Sequence, residues 1–200
     1  SNGDRIEEVR ILTSSRSVAE QCAAQGFNLR PLRVFQLQGD VPQHSIAEGF
    51  VRPIEDGDMA QFTTLLTAFR DDQFSHFPDL EPGPWTPDLI QGAISFARRV
   101  GTIWVLSEGP QNGSRLFGFA NVHHRRPPTA FLAELYVDTA AQGRGFGRKL
   151  LLECFKQTQK HGCSRMVWLC IEKNTQGLDF YRRCGAHELD HTVWAAPLDP

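Results

Sequence analysis

The chain has 200 residues, 40% of them hydrophobic, and a formal charge of −2. That length and apolar fraction predict one medium-sized soluble domain with an extension. The near-neutral charge excludes a broad basic face for nucleic acid or anionic lipid, and no stretch reaches the ~20 apolar residues of a membrane span.

No charged-then-apolar leader is read at the start. Cys22, Cys154, Cys163, Cys170 and Cys184 are odd in number and form no C-x-x-C pair. They argue against a disulfide framework or a zinc site and for a reducing, cytoplasmic compartment. His123-His124 is the one adjacent histidine pair, and neighbours on a strand face opposite ways, so no metal site is expected.

In chain order, Phe50-Val51-Arg52-Pro53 predicts a short strand stopped by Pro53. Asp56 is placed to cap a helix carrying Met59, Phe62, Leu65, Leu66 and Phe69 on one face. Asp71 to Trp85, rich in Asp, Phe and Pro, reads as an irregular surface loop. Thr86-Pro87 opens a second helix with Leu89, Ile90, Ala93, Ala97 and Val100 as its stripe. Thr102–Leu106 and Leu116–Val122 predict a hairpin about Asn112-Gly113, and Ala130–Val137 a third strand. A helix over Phe146, Leu150, Leu151, Cys154 and Phe155 ends before Gly162. Met166–Ile171 reads as a strand buried on both faces, followed by a short helix to Gly185 and a strand over Thr192–Ala196. This order predicts an α/β fold, a mixed sheet with helices on its faces.

Residues 1–48 are expected to be an N-terminal extension to a domain spanning 49–200. Val9–Leu37 can be laid beside Val167–Ala196, with Cys22 where Tyr181 falls, as a degenerate partial repeat. Chance similarity is the alternative. Such a piece could add sheet to the main domain or to a partner chain, which leaves a homodimer open.

The run Leu135-Tyr136-Val137-Asp138-Thr139-Ala140-Ala141-Gln142-Gly143-Arg144-Gly145-Phe146-Gly147-Arg148 carries the most chemistry. A strand feeds a loop whose glycines stand where a helix begins. Glycines allow close backbone approach, and the N–H groups of a first helical turn, with the helix dipole, favour a phosphate or pyrophosphate. Arg144 and Arg148 add charge. The spacing G-x-G-x-G is not the dinucleotide fingerprint, and the P-loop's Gly-Lys-Ser/Thr is missing. A packing turn alone explains one glycine better than three.

Gln142–Gly147 resembles the [RQ]-x-x-G-x-[GA] motif of the GNAT N-acetyltransferases, and Leu135-Tyr136-Val137 resembles their bulged fourth strand. The resemblance extends over roughly 49–197, through Val51-Arg52-Pro53 with Asp58, Asn174, and Phe180-Tyr181-Arg182-Arg183-Cys184-Gly185-Ala186. That last segment is similar to the polyamine and small-amine branch. The resemblance implies the GNAT fold, a mostly antiparallel twisted central sheet with helices on both faces, and acetyl-CoA as co-substrate without a metal. It implies that Leu135, Tyr136 and Val137 line the pantetheine arm. The amides of Gly143, Gly145, Phe146, Gly147 and Arg148, with Gln142 and Arg144 beside them, would hold the pyrophosphate. Asn174 would reach the pantetheine or thioester.

The implied reaction is acetyl transfer to the amine of a small molecule or peptide, by direct attack in a ternary complex. An amine of pKa near 10.4 must lose a proton at neutral pH, which costs about 4.6 kcal/mol. A tyrosine would protonate the CoA thiolate uphill by about 2 kcal/mol. The base therefore carries the larger burden. Tyr181 matches the family's general-acid position, as proton donor or as hydrogen-bond donor to the thiolate. Glu134 is the candidate base, with an ordered-water chain as its rival and His123 or His124 as alternatives. The backbone N–H of Leu135 is a candidate oxyanion donor. Asp71, Asp72, Asp79 and Glu81 could attract a cationic amine. A non-catalytic acyl-CoA-binding module is the other functional class, but it has no need of Tyr181 or Glu134.

Overall fold

The computed structural model describes residues 8–25, 27–39, 47–77, 85–123 and 127–197, without the side chains of 8–12, 192 and 194–197. The elements run β1 (Glu8–Thr13), α1 (Arg16–Ala24), β2 (Asn28–Arg30), β3 (Leu32–Gln38), β4 (Phe50–Pro53), α2 (Met59–His76), α3 (Pro87–Val100), β5 (Gly101–Ser107), β6 (Leu116–His123), β7 (Thr129–Val137), α4 (Phe146–Lys160), β8 (Arg165–Ile171), α5 (Thr175–Arg183), β9 (His187–Leu189) and β10 (Thr192–Pro197). They form two compact units. One joins the described residues up to Gly39 with those from Arg165 onward, and the other takes those from Ala47 to Ser164.

In the Ala47–Ser164 unit, β4, β5, β6 and β7 form successive antiparallel pairs. β5 and β6 are apolar on nearly every residue, as strands covered on both faces must be. Phe62, Leu65 and Leu66 of α2 and Ile90, Ile94 and Ala97 of α3 bury against Ile103, Val105 and Phe119. Helix α4 buries the expected stripe of Phe146, Leu150, Leu151, Cys154 and Phe155. Thr86 caps α3 by accepting from the Leu89 N–H, with Pro87 at the first helical position.

Two local expectations are corrected. Helix α2 continues through Asp71 and Asp72 to His76, so the expected loop does not begin at Asp71; Asp79 and Glu81 lie outside the described residues. Asp56 begins a single 3-10 turn instead of capping α2. Asp58 is the buried carboxylate there. It pairs with Arg52 at 2.6 and 2.9 Å and accepts the N–H groups of Glu55 and Gly113, tying the start of α2 to β4 and to the β5–β6 turn. This pairing holds the Asp58 carboxyl at about 2, below the ordinary carboxylate range.

In the other unit, β3 lies between β8 and β9, pairing antiparallel with both, while β10 lies between β1 and β2 in the same manner. Residues 8–38 therefore do not stand apart from the chain's end. Strand β8 alternates in burial instead of being covered on both faces, with Met166, Trp168 and Cys170 turned inward. The two halves of this unit match at a constant spacing. Helix α1 runs Arg16–Ala24 and α5 runs Thr175–Arg183, while β2 starts at Asn28 and β9 at His187, a spacing of 159 in every case. The helix caps match too: Ser15 accepts from the Val18 N–H and Asn174 from the Gly177 N–H. Each half thus pairs its last strand with the first strand of the other.

Candidate functional site

Beyond β7 the chain makes a 3-10 turn over Thr139–Ala141, reaches Gln142 in an extended conformation, and enters α4. Gly143 and Gly145 have φ of 75° and 79°, the left-handed region that glycine adopts without steric cost. A Cβ at Gly143 would meet nothing within 4 Å, so backbone conformation and not crowding requires glycine there. Left-handed residues alternating along a turn direct successive N–H groups into one concavity, which suits an anion. No side chain caps α4, and the helical ladder opens with the Lys149 N–H donating to the Gly145 carbonyl at 3.1 Å. The first-turn amides preceding it thus have no helical carbonyl to bond. The Arg144 guanidinium lies over the Phe146 and Phe117 rings, 4.5 and 5.5 Å from their centroids, and those rings stack at 5.0 Å.

Strand β7 turns alternate backbone groups away from β6. Its register against β6 slips between Asn121 and Val122, so Ala133 is an extra residue and forms the expected bulge. Past the bulge, the Tyr136 carbonyl lies so close to Gly118 that a Cβ on Gly118 would overlap it. The Asp138 N–H donates to the Phe117 carbonyl at 2.8 Å. Residues 136 and 138 therefore direct their polar groups at β6, and strand alternation sends the N–H and C=O groups of Leu135 and Val137 to the opposite edge. Gln142 folds back on this edge, donating through Nε2 to the Val137 carbonyl at 3.1 Å. These features suit acetyl-CoA: backbone groups of Leu135 and Val137 turned away from β6 for an amide-bearing arm, then two left-handed glycine turns for an anion. The Tyr136 ring itself packs on Phe69 and Phe119, at 5.6 and 6.0 Å. Burial, then the charges of Asp138 and Asp72, pushes its phenol pKa up.

Glu134 follows the bulge and is nearly buried. One carboxylate oxygen is ion-paired with Arg70 of α2, and the other accepts from Asn121 Nδ2 at 3.3 Å. The Arg70 guanidinium carbon lies over the Trp85 ring, 4.0 Å from its centroid, with Phe69 at 5.0 Å. A cleft of about 160 Å³ adjoins Trp85, lined also by Thr63, Thr67, Pro87, Ile90 and Gln91.

Tyr181 and Asn174 belong to the other unit. The half-buried Tyr181 ring meets Trp168, Phe180 and Phe35 at 5.0, 5.1 and 5.5 Å. Burial, then the neighbouring thiols of Cys170 and Cys184, pushes its phenol well above the ordinary value. The phenol therefore holds its proton at any physiological pH. Asn174 spends its side-chain oxygen on capping α5, 2.9 Å from the Gly177 N–H, and keeps only its amide NH₂ for a ligand.

Residues 63–186 match the model of the Acetyltransferase (GNAT) family. The chain belongs to this family. Among curated relatives, a mycothiol acetyltransferase of Gordonia bronchialis is 36% identical over 114 residues, covering 52% of this chain and 34% of that protein. One from Pseudarthrobacter chlorophenolicus is 26% identical over 199 residues, covering 91% and 57%. The chain thus spans about a third to somewhat over half the length of these relatives. Among solved structures, a GCN5-related N-acetyltransferase from Sphaerobacter thermophilus superposes with a TM-score of 0.61 at 17% identity, over 97% of this chain and 61% of that one. It shares the fold.

In this GNAT chain the sequence reading missed Arg70, Asn121 and Trp85. Each is ordinary alone: an arginine before two aspartates, an asparagine in an apolar strand, a tryptophan beside a helix start. A polar Asn121 amid the apolar residues of β6 was the one available signal. His123 packs on Phe96 and Phe131, at 5.7 and 6.1 Å, and His124 lies outside the described residues. All five cysteines are free and buried. Burial pushes the Cys170 thiol up to about 12 and the Cys154 thiol well above its ordinary value, so neither supplies a thiolate nucleophile. Among the described residues there is no cluster of metal-ligating side chains, and no helix long and apolar enough to cross a membrane.

Proposed function

We propose that this GNAT chain transfers the acetyl group of acetyl-CoA to a primary amine by direct attack in a ternary complex. The observation that carries this reading is that Leu135 and Val137, their backbone groups turned away from β6, run into the left-handed turns at Gly143 and Gly145. Acetyl-CoA, when bound, supplies an activated thioester carbonyl. A C–N bond forms as the C–S bond breaks; the ammonium gives up one proton before attack, the nitrogen sheds a second on becoming the amide, and through water one of these ends on the departing thiolate.

The Leu135 N–H, directed away from β6 two residues past the bulge, is suited to receive charge developing on the carbonyl oxygen. Glu134 takes the amine proton through a bridging water, since each carboxylate oxygen keeps a lone pair beyond its bond to Arg70 or Asn121. Tyr181 acts on the thiolate. Its raised pKa makes proton transfer to a thiolate more uphill than the ordinary ~2 kcal/mol, which favours hydrogen-bond donation over full transfer. Asn174 offers its NH₂ to the pantetheine.

The relatives' name makes a small amine of the mycothiol type the first acceptor to try. Buried, reduced thiols suit a cytoplasmic setting, and we read residues 8–38 as a partial second copy of the chain's end without catalytic equipment, Cys22 standing where Tyr181 stands. The test is acetyl-CoA with a panel of amines, with products identified by mass spectrometry, because a thiol-bearing acceptor would obscure thiol release. N-acetylated product supports the reading. Tight acetyl-CoA binding with no product from any amine would replace it with the non-catalytic module.

A further inference from the structure

We propose that Arg70 is a positioning residue for acetyl transfer, acting through Glu134; this rests on the reading of Glu134 as the base. Arg70 reaches Glu134 from α2 while its guanidinium lies over the Trp85 ring, so α2 and the segment before α3 both bear on where the carboxylate sits. Both partners are largely shielded, with 15% and 11% of their side chains exposed, so water competes poorly for the pair. Asn121 holds the second oxygen from β6. Its own Oδ1 is buried and has no hydrogen-bond partner among the described residues, an acceptor beside a carboxylate. Together these acceptors form a seat for a donor, an amine or the water that carries its proton. Arg70 turns Glu134 from a mobile side chain into a fixed member of that seat. The guanidinium suits the task because its planar fork both stacks on an aromatic face and bonds a carboxylate, whereas a lysine ammonium has no face to stack.

The experiment compares Arg70→Ala, Arg70→Lys, Glu134→Gln and the double variant Arg70→Ala/Glu134→Gln with the unaltered chain. Acetylation of glucosamine, cysteamine, spermidine and a lysine-containing peptide is followed by mass spectrometry, with acetyl-CoA affinity and circular dichroism alongside. A displacement of about 1 Å in a catalytic group costs roughly a hundredfold in rate. Arg70→Ala should therefore lower kcat by about that factor and leave acetyl-CoA affinity unchanged. Arg70→Lys should recover only part of the loss. In the double variant Arg70→Ala should add nothing to Glu134→Gln, and millimolar guanidinium should restore the single variant and not the double. Additive losses, or full kcat in Arg70→Ala while Glu134→Gln is impaired, would overturn the proposal and leave the base intact. Undiminished turnover in Glu134→Gln, or no probe acetylated by the unaltered chain, removes the underlying reading and the proposal with it. Should Arg70→Ala fail to fold, Arg70→Lys alone and combined with Glu134→Gln gives the same comparison.

Discussion

The carbonyl oxygens of Cys22 and Tyr181 each accept two backbone hydrogen bonds, one from the residue three places on and one from the residue five places on. Gln25 and Phe27 donate to Cys22 at 3.2 and 3.0 Å, and Cys184 and Ala186 donate to Tyr181 at 3.1 Å each. The helix ends of α1 and α5 are thus built alike, on side chains of quite different size. Cys22 is buried, and Tyr181 extends into an aromatic cluster with Trp168 and Phe35. The shared backbone can be maintained without the phenol.

Tyr181→Phe should accordingly preserve the fold and acetyl-CoA affinity while reducing kcat. Because the phenol is raised above its ordinary value, its deprotonation should not shape the alkaline limb of the rate profile in the unaltered chain. Steady-state rates from pH 6 to about 10 check both points. A tyrosine-dependent alkaline loss in that range would contradict the role of hydrogen-bond donor.

Gly145→Ala places a side chain at a φ of 79°, where a non-glycine residue costs about 1–2 kcal/mol, and the nearest atom to its Cβ would be Ala47 Cβ at 3.5 Å. The chain should fold with a modest loss of stability. Gly145→Arg should in addition fill the concavity and abolish acetyl-CoA binding. Calorimetric titration of both variants separates backbone strain from obstruction.

Asp58→Asn should lower stability by about 3–5 kcal/mol, since it leaves the Arg52 charge, only 11% exposed, without its partner. The folded carboxyl titrates at about 2 against an ordinary 3.8. Its contribution is therefore fully present above the ordinary value and is lost as pH falls through 3.8 toward 2. Urea unfolding at pH 7 and at successive values below 4 should show the difference between Asp58→Asn and the unaltered chain shrinking with acid.

Five buried free thiols predict slow alkylation of the native protein and rapid alkylation after unfolding. Labelling with iodoacetamide at pH 8, with and without guanidinium chloride, and counting adducts by mass checks this. Fast native modification of Cys170, whose thiol is raised to about 12, would place it outside the core.

The glycine turns at the start of α4 were legible because their cause is local: positive φ requires glycine, and a helix start offers its N–H groups whatever surrounds them. Strands β5 to β7 and helices α3 and α4 were legible for the same reason, through periodicity and caps. The Arg70–Glu134–Asn121 arrangement was not, because it joins residues 64 and 13 apart in the chain through tertiary contact alone. The Asp71–Trp85 reading failed at its start because composition rich in Asp and Phe outweighed a continuing helix, which α2 sustains to His76. The alternation of β8 was likewise hidden by a run of apolar letters, since Val167, Leu169 and Ile171 are only partly covered.

The exchange of last strands decides where this chain can be cut. A protein expressed from residue 49 onward would keep the whole glycine loop and both candidate proton carriers, yet β8 and β9 would lose the strand that lies between them. Two facing rows of unpaired backbone groups would be bared at once, a template for sticking to neighbouring molecules. Insolubility of that shorter form would then speak of a missing third strand and not of a faulty site.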